Sequence, residues 1–338
     1  MAVGKRRDTV LRVIVEDYIT GATPVASRAI VERHGLNVSP ATIRNDTAYL
    51  EREGYVVRPH HSAGSVPTDK AYRHYVQLLG EDVELPAVDE YLTYYILRET
   101  KEGLEHWLKT VASLLAGLVR NMVVITSPKP VQCRFKHLDL VVLQDFMALL
   151  IVVLCEARVR RHVLSFNRRI GQDELTTLAN KLTHTYAGLT AGEILARQEA
   201  LSTEEKQISG LVAEVITAED KLEYGEPHLE GLRLLLGQPE FTSSPSMLRI
   251  LEALEGQDWI RNIFSQEFRK GEVRVLIGDE NPEPALQELS LVASQYGQPD
   301  RSSGIVGVVG PKRMDYARTI STLNCLSALL SARAAEYT

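Results

Sequence analysis

The segment SPATIRNDTAYLEREG, Ser39–Gly54, predicts one short helix with defined ends. Ser39 suits the N-cap, because its hydroxyl accepts a hydrogen bond from an unpaired amide of the first turn. Pro40 suits the first helical position, where its missing N–H costs nothing. Gly54 suits the left-handed position that follows a helix end. The sequence therefore predicts a helix that begins after Ser39 and stops at Gly54.

The two faces of this helix differ in character. Ile43, Thr47 and Leu50 recur at helical spacing and predict the buried face. Arg44 and Asn45 point elsewhere, and these side chains can form paired hydrogen bonds with guanine and adenine, respectively. This pattern is typical of a helix that reads bases in a DNA major groove. An ordinary amphipathic surface helix is the alternative that these residues alone leave open.

The neighbouring segments predict a winged helix-turn-helix at residues 1–80. Two amphipathic helices precede the Ser39 helix, the second separated from it by a tight turn. Two β-rich segments around a polar, glycine-containing tip follow it and predict a hairpin, or wing, before a last helix. The helices are predicted at Lys5–Ile19, Ser27–Arg33 and Thr68–Leu79, and the strands at Tyr55–Arg58 and Val66–Thr68.

Composition indicates a soluble cytoplasmic protein of two or three domains. The chain has 338 residues, of which 44% are hydrophobic and 24% charged. No apolar run approaches the roughly 18 residues of a membrane span, and the N-terminus has no apolar signal core. The three cysteines are widely separated, with no CxxC spacing, so we expect reduced thiols.

Charge is distributed unevenly along the chain. Residues 1–80 contain 11 Lys and Arg against 8 Asp and Glu, whereas the remainder contains 27 against 36. A mildly basic module attached to an acidic body is the asymmetry expected of a DNA-binding domain with a partner domain.

The rest of the chain predicts an α+β sheet domain interrupted by an inserted module. An acidic, proline-containing linker is expected at Gly80–Asp89 and a long helical region at Glu90–Arg120, so that 81–100 forms a linker helix region between the domains. A mainly helical stretch, including Leu229–Leu236, separates two groups of strands. Strands are predicted at Met122–Thr126, Cys133–Gln144, Met147–Cys155, Arg160–Phe166, Val273–Ile277, Ser290–Ser294 and Gly304–Val309.

No segment indicates catalysis, a metal site or a cofactor. Gly304–Lys312, GIVGVVGPK, lacks the Gly-Lys-Ser/Thr ending of a phosphate-binding loop, and Pro311 removes an N–H donor, so a strand with a tight exit is predicted. Ile277–Pro284, IGDENPEP, is interpreted as an acidic loop, although paired carboxylates can also bind a cation. His60 and His61 lack the further ligands that zinc requires. We therefore predict that the protein is not an enzyme.

Several motifs together resemble the HrcA-type heat-inducible transcription repressors of bacteria. The N-terminal matches are YITGATPVASRAI, VSPATIRNDTAYLEREGYV and HHSAGSVPTDKAYRHYV; the later ones are IGDEN at Ile277–Asn281 and GVVGPKRMDYARTI at Gly307–Ile320. The resemblance covers essentially the whole chain and is weakest at about 170–270.

The resemblance implies a winged helix-turn-helix followed by a GAF-like domain with an inserted dimerising domain. On this basis the GAF-like domain occupies 101–170 and 271–338, and the dimerising domain 171–270. It further implies a homodimer that binds double-stranded DNA at the CIRCE inverted repeat ahead of chaperone operons. A GroEL-type chaperonin would keep the repressor active. A two-fold protein is the natural partner of an inverted repeat, and such a repressor would lie on the nucleoid when bound to its operator.

The expected DNA contacts divide into base reading and backbone positioning. Thr42, Arg44 and Asn45 are predicted to read bases. The backbone contacts are assigned to Ser39, Tyr49, Arg58, His61 and Lys70.

Three positions depart from the family pattern. Ser65 and His61 stand where family members commonly have an arginine and a threonine in the wing, and Thr47 replaces a methionine. We expect Ser65 to remove a phosphate or minor-groove contact, and Thr47 to loosen the packing of its helix. Two rival functions are a ligand-responsive regulator, with a small molecule in the GAF-like domain, and an enzyme fused to a DNA-binding module.

Overall fold

A computed structural model describes most of the chain. The described residues are 4–34, 38–60, 63–80, 103–155, 158–197, 201–222, 225, 227–241, 246–256, 259–260, 272–298 and 301–334. The predicted linker at 81–100 and His61 lie outside these residues.

The described elements are eleven α-helices, eleven strands and two short 3-10 helices at Gly278–Glu280 and Pro284–Leu286. The helices are α1 (Lys5–Gly21), α2 (Ser27–His34), α3 (Pro40–Arg52), α4 (Asp69–Leu79), α5 (Gly103–Val119), α6 (Gln172–Tyr186), α7 (Ala191–Leu195), α8 (Thr203–Asp220), α9 (Leu232–Leu236), α10 (Ser246–Glu255) and α11 (Tyr316–Ala334). The strands are β1 (Val56–Val57), β2 (Val66–Pro67), β3 (Met122–Thr126), β4 (Lys129–Pro130), β5 (Phe135–Gln144), β6 (Met147–Leu154), β7 (Val159–Ser165), β8 (Pro227–Glu230), β9 (Val273–Ile277), β10 (Leu289–Gln298) and β11 (Ser302–Pro311).

The N-terminal region consists of three helices, a short hairpin and a fourth helix, in the predicted order. Its core contains fully buried apolar side chains from α1, α2 and α3: Leu11, Ile14, Ile30, Ile43 and Leu50. Strands β1 and β2 pair antiparallel, with Val57 opposite Val66. The small core depends on the apolar face of each helix, since a hairpin this short adds little stability by itself.

The chain divides into two compact units. The first comprises residues 1–127, 226–296 and 304–332, and the second comprises 128–225, 297–303 and 333–338. This division differs from the predicted one, in which the strands at 133–166 belonged with the C-terminal strands and the insert spanned 171–270. The segment that leaves and re-enters the first unit is 128–225.

An antiparallel sheet forms the body of the first unit. Its strand order is β8-β3-β11-β10-β9. The expectation of a helical stretch at Leu229–Leu236 was wrong at its start, because Pro227–Glu230 is a strand. Leu229 pairs with Val124 of β3, and Val124 pairs on its other side with Gly307. Hydrogen bonding to the edge of β3 stabilises this segment as a strand, whereas the helical pattern of so short a segment is weak.

Helix α4 is joined to this sheet by charged side chains. Arg73 donates to Glu280 Oε1 over 2.7 Å and to the Val275 carbonyl over 2.6 Å. Lys312 Nζ lies 2.8 Å from Asp69 Oδ2. Glu280 and Lys312 belong to the IGDEN and GPKR motifs, so these motifs attach the N-terminal region to the sheet.

The second unit contains the meander β5-β6-β7 with helices on one face. Alternate residues of β6 point inward, and Leu150 and Val152 are fully buried. They belong to the same apolar cluster as Leu175 and Leu182 of α6 and Val212 of α8. This shared core explains why the meander belongs with the following helices rather than with the C-terminal strands.

An ion-pair cluster closes one end of the second unit. The side chain of Glu219 is 6% exposed and lies 2.7 Å from Arg158 and 2.5 Å from Arg160. Burial by itself would raise the pKa of Glu219, but the hydrogen bonds from the two arginines hold it below its usual range.

The fold class is mixed, with helices and antiparallel sheets, as predicted. The segment Gly304–Lys312 runs mostly within β11, which confirms the strand interpretation. Within the described part of the chain, no helix is long and apolar enough to cross a membrane.

Candidate nucleic-acid interface

The ends of α3 have the predicted capping groups. Ser39 Oγ accepts from the Thr42 amide over 3.2 Å and lies 3.0 Å from Thr42 Oγ1. Pro40 is the first helical residue. Gly54 has φ +76°, the left-handed conformation that favours glycine. The helix is thus stabilised at both ends by its own sequence.

Arg44 and Asn45 are exposed on α3, whereas Ile43, Thr47 and Leu50 are buried as predicted. Thr42 and Tyr49 are half-buried. Neither Arg44 nor Asn45 has a side-chain hydrogen bond to any residue that the structure describes. Their donors and acceptors are therefore available to an external partner with the polarity of a base edge.

Asp46 is a buried residue on α3 that the sequence reasoning missed. It is 1% exposed and accepts hydrogen bonds from Arg6 over 2.8 and 3.0 Å and from Arg7 over 3.4 Å. The hydrogen bond from Arg6 is the main cause that lowers the pKa of Asp46 below its usual range. This ion pair fixes α3 against α1 from behind.

Tyr49 holds two arginines beside the same helix. The guanidinium of Arg7 lies 3.6 Å from the ring centroid, and that of Arg52 lies 5.3 Å from it. Both distances are typical of cation–π contacts. The run Lys5–Asp8, KRRD, was the sequence signal for this basic cluster, but the partner residues could not be inferred from it.

Arg58 is anchored within the N-terminal region. Its Nη2 donates to Thr47 Oγ1 over 3.3 Å, and its Nε lies 3.4 Å from Glu51 Oε2. Thr47 Oγ1 also donates to the Arg44 carbonyl over 2.9 Å. The fully buried Thr47 thus has polar partners, and its expected loosening of the helix is offset by these bonds.

Lys70 lies at the C-terminal end of α3. Its Nζ donates to the Glu53 carbonyl over 2.7 Å and lies 4.3 Å from the Tyr55 ring centroid. A cation is favourable at this end of a helix. Lys70 is exposed, so its charge also faces solvent beside the hairpin.

Ser65 is buried rather than exposed in the hairpin. It is 2% exposed, and its amide donates to the Val25 carbonyl over 2.8 Å. At the preceding Gly64, an added Cβ would lie 2.5 Å from backbone carbons of Pro24 and Val25. The hairpin therefore packs closely against Val25, and the serine occupies a confined position instead of the open surface assumed for a phosphate contact.

Only some of the predicted site residues lie together on one surface. Ser39, Thr42, Arg44, Asn45 and Tyr49 lie on or directly before α3. Arg58 and Lys70 are held at its C-terminal side by intramolecular bonds. Within the described residues, no group of three or more His, Cys, Asp or Glu side chains is arranged to hold a metal ion.

A solved structure shares the fold of the whole chain. It is described as a crystal structure of a hypothetical protein at 2.2 Å resolution and aligns over 99% of both chains with a TM-score of 0.61. Its sequence identity of 23% makes it a likeness of fold alone.

Sequence relatives extend over the full length. A repressor from Dehalococcoides mccartyi is 40% identical over 98% of this chain and 96% of its own. A second from Roseiflexus castenholzii is 31% identical over 98% and 94%. A third from Thermomicrobium roseum is 32% identical over 97% and 94%. Each carries the name heat-inducible transcription repressor HrcA.

The family model described as HrcA protein C terminal domain matches residues 105–320. This range includes the sheet of the first unit and nearly all of the second. The relatives add the N-terminal helices and hairpin. The chain therefore belongs to the HrcA family, a family of transcription repressors and not of enzymes.

Proposed function

We propose that the protein is a homodimeric repressor of chaperone operons that binds the CIRCE-type inverted repeat through a winged helix-turn-helix at residues 1–80. The observation that carries this proposal is the exposed pair Arg44 and Asn45 on a capped helix that Asp46 fixes from behind. The names of the relatives support repression in response to heat. Such a repressor acts in the cytoplasm, on nucleoid DNA.

In this proposal α3 enters the major groove. Arg44 and Asn45, with Thr42, contact base edges, whereas Ser39 and Tyr49 contact the backbone. Arg58 and His61 of the wing, with Lys70 at the start of α4, contact the phosphates beside the groove. Arg6 and Arg7 add positive charge behind the helix, which strengthens the attraction to phosphate without reading sequence.

Operator binding by Arg44→Ala tests base reading. A bidentate contact to a base contributes about 1–3 kcal/mol of discrimination, so affinity for the operator should fall by roughly 5–150-fold while affinity for scrambled duplex changes little. Arg12→Ala is a matched control, because Arg12 lies on α1 and pairs only with Glu16 in the described residues. Equal losses on operator and scrambled DNA would refute base reading by Arg44.

The outer face of the sheet β5-β6-β7 supports the homodimer. Val141, Leu149 and Val163 form one cross-strand row on this face. Val141 is 43% exposed and Val163 is 56% exposed, and Leu143 and Val159 are similarly open. A continuous apolar face on one sheet is typical of a protein–protein interface.

Charge placement on the same face favours a second copy of this chain as the occupant. Asp139 on β5 and Arg161 on β7 flank Ile151 in the next row. A two-fold axis parallel to the strands would place β5 of one copy over β7 of the other, so each Asp139 would meet an Arg161. An isologous contact of this kind closes as a dimer.

Light scattering of Val163→Asp tests the dimer. A buried, unpaired carboxylate in the centre of the face should dissociate the dimer at micromolar concentration. Val131→Asp is the matched control, because Val131 is 62% exposed in the same unit but lies outside β5, β6 and β7. A dimer that survives Val163→Asp and Leu149→Asp contradicts this interface.

The GAF-like domain and the chaperonin complete the proposal, and the family resemblance supports both. A monomer would leave the outer face of the sheet open, and an apolar face of this kind is a suitable target for a GroEL-type chaperonin. Operator titration of freshly refolded protein with and without chaperonin tests this step. The chaperonin should raise the fraction of protein that binds DNA, and an unchanged fraction would remove the chaperonin from the proposal.

A further inference from the structure

A cleft of about 750 Å³ opens in the first unit, away from the surface of α3. Four segments line it: the end of α1, the end of α5 with the two following residues, α9 with its exit, and the turn from β11 into the start of α11. Its volume falls within the roughly 300–1,000 Å³ of small-molecule sites.

The lining of the cleft is strongly basic. Four arginines contribute to it, namely Arg120, Arg233, Arg313 and Arg318, against the single carboxylate of Asp315. Asp315 Oδ1 accepts from the Arg318 amide over 3.0 Å and thereby caps α11. The acid is thus engaged by the backbone, and the excess positive charge faces the cleft.

Arg313 has a structural role. It donates to the Ile19 carbonyl over 3.1 Å and to Gln238 Oε1 over 2.9 Å, and it also pairs with Glu240. These contacts fix one wall of the cleft against the end of α1.

The other three arginines have no side-chain partner among the described residues. Arg318 Nε is buried without a hydrogen bond, and Arg318 also lies in the first turn of α11, where a cation is disfavoured by the helix dipole. Arg120 has φ +53°, a conformation that normally favours glycine after a helix. The position of Arg318 costs free energy, and a bound anion would offset that cost.

We propose that this cleft binds a nucleotide-sized organic phosphate, with the phosphates on Arg120, Arg233 and Arg318. Three unpaired guanidinium groups call for a ligand with more than one negative charge, and their planar donors match phosphate oxygens. Leu118, Val119 and Leu234 form an apolar wall beside them, which suits the remainder of such a molecule. The proposal does not depend on DNA binding by α3.

Calorimetric titration of the full-length protein with pyrophosphate and with ADP at constant ionic strength tests the proposal. Both should give saturable binding. Arg120→Gln with Arg233→Gln, both exposed side chains, should weaken both ligands by at least about tenfold, given the strength of charge-assisted hydrogen bonds. Leu234→Ser should weaken the binding of ADP and leave the binding of pyrophosphate unchanged. Arg301→Gln is the control, an exposed arginine of the second unit.

Any of four results would overturn the proposal. The first is the absence of saturable binding to the wild-type protein, and the second is an unchanged affinity in the double variant. The third is equal affinity for citrate, which would make the cleft a general polyanion site. The fourth is a loss of affinity for scrambled duplex DNA in the double variant with no effect on pyrophosphate binding, which would assign the arginines to the DNA backbone.

Discussion

Replacing Asp46 by asparagine should loosen α3 without unfolding the protein. The change keeps the size of the side chain but removes the charge that accepts two hydrogen bonds from Arg6 and a longer one from Arg7. Hydrogen bonds to charged groups contribute about 1.5–3 kcal/mol. The Arg6 side chain is 58% exposed, so solvent screens its interaction with Asp46. We therefore expect the substitution to lower the local free energy of unfolding by an amount near the lower end of this range, about 1.5 kcal/mol.

Hydrogen exchange measured by mass spectrometry gives the local stability of α3 directly. Peptides that cover Pro40–Arg52 should exchange about tenfold faster at pH 7 in Asp46→Asn, which corresponds to about 1.4 kcal/mol. Peptides from the second unit should be unchanged and serve as the internal control. Equal exchange of α3 in both proteins would refute the anchoring role.

The dependence on pH follows from the lowered pKa of Asp46. A carboxylate whose folded pKa lies below its unfolded value stabilises the fold above the unfolded pKa and loses this effect as the pH falls through the folded one. The usual pKa of an aspartate carboxyl is about 3.9. The difference between wild type and Asp46→Asn should therefore be the same at pH 5 and pH 7 and should shrink only below about pH 4. A difference that already halves between pH 7 and pH 5 would contradict the assignment.

Four further substitutions test three other sets of contacts. Arg73→Ala should destabilise the first unit by about 1–3 kcal/mol in urea unfolding, because it removes the hydrogen bonds to the exposed Glu280 and to the Val275 carbonyl; Glu280→Gln should cost less, and equal losses would contradict the role of charge. Glu219→Ala should cost about 3–5 kcal/mol in the second unit, since the largely buried Arg158 would lose its carboxylate and keep only a long hydrogen bond to the Pro128 carbonyl, and a loss below 1 kcal/mol in thermal unfolding would refute this. Gly64→Ala should displace the hairpin and weaken operator binding without changing the oligomeric state; unchanged affinity in a gel-shift titration would show that the close packing is dispensable.

Local sequence signals predicted helix α3 well. The N-cap, the proline and the terminal glycine act within a few residues of the ends that they define, so no tertiary information is required. The buried face followed equally from the spacing of Ile43, Thr47 and Leu50. The same helical periodicity predicts that Arg44 and Asn45 are exposed.

Long-range pairings were not predictable from the sequence. The four-residue strand Pro227–Glu230 is recognisable only through its partner Val123–Thr126, about 100 positions away. For the same reason the predicted insert, 171–270, differs from the compact segment 128–225. The alternation of β6 predicts which residues are buried but not which helices they contact. Asp46 was missed for a similar reason: its partner Arg6 lies 40 residues earlier, and an aspartate in a polar helix normally predicts solvent exposure.

Helix α1 is held by arginines at both ends, with consequences for operator geometry. Arg6 and Arg7 attach its first turn to α3, and Arg313 bonds the carbonyl of Ile19 near its last turn. Seventeen residues make a rigid rod of about 25 Å. A tilt of about 5° at the far end would shift α3 by roughly 2 Å, whereas half-sites on one face of DNA are about 34 Å apart. In the proposed dimer, a small displacement at the end of α1 would therefore put the two α3 helices out of phase with the pitch of the double helix.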